Sequence, residues 1–197
     1  GMGLALPAAA RTITYPDTGM DLLALTHTMT PNSGMLTESR VKVFWELIER
    51  QAKIQDFPPA MPVLSVQPEA DHETWGIRWD NVVESESHTF TTGLDAWLWE
   101  YSGTRERWLK NGMVLTDMPL ADSDQLSAGV FAEDDWRLTD DLTLNLGGRV
   151  DRIVSESEAI PGRRPEDTFH DVSWNGHAGL TWRLQEGWSM TLIGASS

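Results

Sequence analysis

The chain has 197 residues, enough for one domain, and no cysteine, which excludes a disulfide scaffold and any Cys-based metal site or nucleophile. Its 30 acidic and 15 basic residues give a formal net charge of −15. No basic stripe interrupts the acidity, so nucleic acid is excluded as a partner held through phosphate contacts.

Ten Trp stand against five Phe and two Tyr. That ratio suits a surface lying between apolar and wet surroundings, because an indole can bury its ring and keep its N–H in water. The longest apolar run, residues 2–10, is broken by Pro7 and too short to cross a bilayer as a helix. It has no basic residues ahead of it, so it is not a signal peptide. Gly1 before Met2 reads as a cleavage remnant, and an export signal is expected to lie outside this chain. Residues 1–19 read as an irregular N-terminal segment, and 20–197 as a β-barrel segment with no plug domain.

From residue 20 the pattern alternates with period two. Segment 20–29 reads as a strand, and 38–53, 72–83, 88–102 and 125–137 each collect apolar residues on one parity, as with Val41, Val43, Trp45 and Leu47. Residues 40–53 also fit an amphipathic helix; strand is preferred because both neighbours are strands. The cleanest alternation runs from Leu142 through Leu144 and Leu146 to Val150, and again from Val172 through Trp174 and Leu180 to Leu184. A last segment, 188–197, still reads as strand. Successive side chains of a strand point to opposite faces, so each segment has a greasy and a polar side.

The connections alternate in length. Short links fall near 30–37, 84–87, 138–141 and 185–187, and long ones, rich in Pro, Asp and Glu, near 54–71, 103–124 and 155–171. This rhythm is that of an outer-membrane barrel, with tight turns on one side and long loops on the other. The fold expected is all-β, an antiparallel up-and-down meander of about eight strands, part of a transmembrane β-barrel or a small version of one. Trp136, Trp182 and Trp188 fall near short turns, while Trp75 and Trp174 fall near the opposite strand ends, all on the apolar parity. Trp97 and Trp99 break that rule.

Residues 129–152 carry a more specific signal. Asp134, Trp136, Arg137 and Leu138 lead into a tight turn, followed by Leu142, Thr143, Leu144, Gly147, Arg149 and Asp151. This resembles the barrel of TonB-dependent outer-membrane receptors, and residues 174–197 resemble the next hairpin. The resemblance is specific over 125–197, compatible over 38–124 and poor before 20. It implies a piece of a barrel of about 22 strands from a bacterial outer-membrane protein. It also implies import of a siderophore, haem, cobalamin or similar nutrient. A plug domain and TonB are the partners implied for the full-length protein. Neither a plug nor a TonB box is seen here, so the chain alone is not expected to be transport-competent.

No catalytic constellation appears and no enzyme activity is expected. His27, His72, His88, His170 and His177 have no ligand-like spacing, and the eight Met are scattered, so no metal site or cofactor is assigned. Asp134 with Asp135, and Asp140 with Asp141, are neighbours that a strand would point apart, not acid–base dyads. Asn145, Arg149, Asp151, Asn175, His177 and Arg183 lie on the polar parity and are the candidate lumen-facing residues. For Arg149 and Asp151 a structural ion pair with neighbouring strands is favoured over substrate contact, and for His177 an ordinary interior polar role. Mid-strand Gly147 and Gly148 are read as relieving crowding. Partners expected are outer-membrane lipid on the apolar face and a second copy along open sheet edges. Two further readings stand beside the fragment: a self-contained eight-stranded barrel with a structural or adhesive role, and a soluble β-barrel or sandwich binder.

Overall fold

A computed structural model describes residues 12–196. They contain nine strands and no helix: β1 (Thr12–Met29), β2 (Leu36–Gln55), β3 (Val63–Glu84), β4 (His88–Leu109), β5 (Val114–Asp117), β6 (Ser123–Thr139), β7 (Leu142–Ser157), β8 (Asp167–Gln185) and β9 (Trp188–Ser196). All pairings are antiparallel, in the order β1-β2-β3-β4-β6-β7-β8-β9, with β5 as a short flap on β4. The expected meander is therefore the observed one, and residues 40–53 are strand.

Three boundaries differ from expectation. The segment read as irregular over 1–19 already pairs from Thr12, opposite Gln55; residues 1–11 lie outside the described residues. The long links are much shorter than their sequence suggests, because β3 and β4 run for 22 residues each and take up all of 63–71 and 103–109, while β7 and β8 reach Ser157 and Asp167. The ninth strand, β5, lies inside the expected loop 103–124. Beyond the apolar band both faces meet water, so the ladder continues without hydrophobic alternation to mark it.

The sheet does not close on itself among the described residues. β1 and β9 occupy opposite edges of one layer. Among the described residues there is thus neither an eight-stranded closed barrel nor a second sheet that would make a sandwich. The short-turn rim is laced by backbone hydrogen bonds between adjacent turns: Glu84 N–H donates to Met35 O at 2.7 Å, Arg137 N–H to Ser87 O at 2.7 Å and Arg183 N–H to Asp141 O at 2.8 Å. At the β8–β9 turn Gly187 supplies a φ of 81°, with a register shift between Arg183 and Gln185 beside it, a left-handed position suited to glycine.

No hydrophobic side chain is buried among the described residues. The apolar parity forms one continuous exposed face instead: Leu25, Val43, Ile77, Ala96, Ala128 and Arg152 follow one another across β1 to β7. Next to that row run Trp79, Leu94, Val130, Val150 and Trp174. Val130 is 58% exposed and Leu192 73%. Such a sheet has no core to hold it in water and requires an apolar solvent on this face.

Tryptophans mark the limits of the band. On β8, eight residues separate Trp182 from Trp174, roughly 26 Å along the strand, close to the apolar height of an outer-membrane barrel. Trp45 and Trp75 sit ring against ring, centroids 6.0 Å apart. Both donate their indole N–H to one carboxylate, Glu73 Oε1, at 2.6 and 3.0 Å. That is the interfacial posture of Trp, with the ring in the apolar layer and the N–H at its wet edge. In detergent-free buffer the isolated chain is expected to elute in light-scattering chromatography as aggregates or multimers, becoming dispersed only in detergent. A monodisperse monomer in buffer would refute lipid as the partner of this face.

Candidate functional site

The opposite face carries the polar parity, and its centre is Arg149. From β7 its guanidinium passes over β6 to reach β4: Nη1 and Nη2 donate to the two Asp95 oxygens at 2.7 and 2.9 Å. Nε donates to Asp151 Oδ1 and Oδ2 at 2.8 and 2.9 Å. Gly129, in the β6 row between Asp95 and Asp151, makes this possible. A Cβ there would collide with Arg149 Nη2 and with Asp151. The guanidinium therefore occupies the volume that a side chain on β6 would fill.

The same device recurs across this face. The Phe44 ring lies over Gly76, Phe131 over Gly93 and the His177 imidazole over Gly147. Each bare glycine backbone accepts a large side chain from the adjacent strand. This explains the mid-strand Gly147. The inward Trp97 lies in register with Gly76, itself covered by Phe44, on one side and with the small Ser127 on the other. Trp99 belongs to a ring cluster with Tyr101 at 6.2 Å and His72 at 5.6 Å between centroids.

All six candidate residues fall on this one face by register. Arg149 and Asp151 bond directly, and Asn175 lies opposite Arg149. Asn145 donates to Glu133 at 2.7 Å and to Asp135 at 2.9 Å, while His177 Nε2 lies 3.7 Å from Glu133 Oε1. Asn145 and His177 thus share Glu133. No side-chain bond of Arg183 joins it to the others. Asp134 and Asp135 point apart: Asp134 pairs with His88 at 2.8 Å on the apolar side, Asp135 with Asn145 on the polar one. Sequence reading did not find Asp95, Gly129 or Glu133. Their signal was parity alone, and only strand register reveals which row each occupies.

A second charged cluster lies beyond the apolar band. Asp117 on β5 receives Arg105 in a two-bond fork at 2.9 and 2.7 Å, Arg107 at 3.1 Å and Arg163 from the β7–β8 loop at 3.5 Å. Hydrogen bonding from Arg105 holds the Asp117 carboxyl below its usual range, burial opposes this, and the charges of Arg105, Arg107 and Arg163 add to it. A lowered pKa contributes stability above the unfolded value of about 4, and the contribution is lost as pH falls through the folded value. Proteolytic cutting within 158–166 should therefore rise in acid, below about pH 4. Asp117→Asn should already show the raised cutting at neutral pH and lose the acid step. Among the described residues no three His, Asp or Glu side chains converge as a metal site.

A single antiparallel layer, greasy on one face and ionic on the other, is the wall of a β-barrel. The comparisons give the particular kind. The family profile described as "TonB dependent receptor-like, beta-barrel" matches residues 20–196, and the chain belongs to that family, which is one of outer-membrane transport receptors. Among solved structures, one named "Copper transporter OprC" superposes with a TM-score of 0.77 at 18% identity, over 93% of this chain and 31% of its own length. The chain therefore spans less than a third of that structure. No curated protein sequence matches it.

Proposed function

We propose that the chain is part of the wall of an outer-membrane receptor that imports a scarce nutrient such as a siderophore, haem, cobalamin or a metal ion. The observation that carries this is the two-faced, coreless sheet. Its exposed Leu, Val and Trp suit lipid, and its Arg149 network suits a hydrated or plug-filled interior. Asn145, Arg149, Asp151, Asn175, His177 and Arg183 are its lumen-facing residues. In the full-length protein a plug domain sits against this face, and TonB supplies the energy coupling; the chain alone does not transport. Copper enters the cargo list only because the OprC structure bears that name.

Disruption of the full-length gene tests the reading. Cells limited in turn for iron chelate, haem, cobalamin and copper are assayed for labelled uptake beside a strain lacking TonB. Uptake of one cargo should fall to the level of the TonB-deficient strain. Unchanged uptake of every cargo would overturn the proposal.

A further inference from the structure

We propose that Arg105, Arg107 and Arg163 form a receiving site for an oxyanion, the phosphate or carboxylate group of a ligand, on the polar face beyond the apolar band. The inference rests on the uptake reading in that it gives the captured ligand a charge class.

Three guanidinium groups share the one carboxylate of Asp117, so this ion-pair cluster itself holds two more positive than negative groups. This occurs in a chain of net charge −15, where a local cationic centre stands against the overall field. The neighbouring strand does not neutralise it: the residues of β3 in register with Arg105 and Arg107 are Pro68 and Val66, which carry no charge. On β5, Leu115 pairs with Arg107 and Asp117 with Arg105.

The donors are also under-used. Asp117 Oδ2 is shared by all three arginines. Arg107 reaches Asp117 through Nη2 at 3.1 Å, and its side chain is 37% exposed. Arg163 reaches the carboxylate at 3.5 Å and its side chain is 53% exposed. A guanidinium has five N–H donors in a planar fork, matched to two oxygens of a carboxylate or phosphate. Arg105 spends its fork on Asp117; Arg107 and Arg163 have donors to spare. Arg163 is on the loop that bridges β7 and β8, so an arriving anion can draw it inward without breaking a strand ladder.

The position suits capture. Arg105 lies seven residues past Leu98, the last apolar residue on the outward parity of β4 before Glu100, roughly 20 Å along the strand. It is on the same parity as Asp95 and Trp97, hence on the polar face.

Full-length protein in detergent is titrated calorimetrically at low salt with inorganic pyrophosphate and with citrate. A parallel arm measures binding to vesicles with and without lipopolysaccharide. Saturable binding of either soluble anion should weaken about tenfold in Arg107→Gln and in Arg163→Gln, less in the lysine variants, and not at all in Lys53→Gln. Arg163→Gln is the variant least able to disturb folding, which heat-modifiable gel mobility monitors in each. Binding confined to lipopolysaccharide vesicles but lost in the same two variants keeps the oxyanion site and assigns it to a headgroup. No binding in either arm, or binding indifferent to Arg107 and Arg163, overturns the site. The uptake assay is independent: its failure leaves these affinities untouched.

Discussion

Val130→Arg is expected to destabilise the lipid-embedded full-length protein by about 2–4 kcal/mol. Val130 lies between Leu94 and Val150 in a row of apolar side chains and is 58% exposed. On a water-facing surface such a change costs within about 0.5 kcal/mol, so the effect separates a lipid face from a solvent face without ambiguity. In lipid the guanidinium has no partner and cannot reach the headgroups from mid-band. Asn175→Arg, on the opposite face, should change stability by under 1 kcal/mol. Denaturant unfolding in vesicles measures both. Equal, small effects would place Val130 in water.

The second large effect concerns Arg149. Arg149→Leu should cost about 2 kcal/mol, below the roughly 3–5 kcal/mol of a fully buried pair, because its side chain keeps 28% exposure. The loss comes from leaving Asp95 and Asp151 facing each other across Gly129 without their counter-charge. Gly129→Val should cost a similar amount in wild type, since its Cβ would enter the space of the Arg149 guanidinium. In the Arg149→Leu background the flexible leucine can yield, and Gly129→Val should cost markedly less. A double-mutant cycle therefore predicts coupling of about 1–2 kcal/mol between residues on neighbouring strands. Additivity would mean that Gly129 is not there to admit the arginine.

These residues also illustrate what the amino-acid order makes legible. Within the membrane band the two faces meet different surroundings, so period-two alternation is enforced and the strands around Leu144 or Trp174 are readable. The same constraint placed all six polar candidates on one face. Outside the band it lapses. Residues 63–71 and 103–109 carry Pro68, Glu69, Asp71 and Arg105 in a mixture that resembles loop, yet their backbone groups continue the ladder. Asp95 as the partner of Arg149 was out of reach for another reason. The two are 54 positions apart, and only the register of β4, β6 and β7 brings them together. Trp97 looked like an exception to parity because the rule was applied to polarity alone. A size rule also acts on this face, in which a large ring fills the space of a small residue, as Phe44 does over Gly76 and Phe131 over Gly93.

The most direct test of a wall with lipid on one side and water on the other is a spin-label scan. The chain has no native cysteine; with any cysteine elsewhere in the full-length protein replaced by serine, single cysteines from 142 to 151, reconstituted in bilayers, report on each site. Oxygen and a water-soluble nickel chelate are used as relaxing agents. The expected result is an alternation: labels at Leu144, Leu146 and Val150 relaxed by oxygen, those at Asn145, Arg149 and Asp151 by the nickel chelate or by neither where the interior is filled. Nickel access at both parities, or oxygen access lying with the polar residues, would contradict the barrel wall.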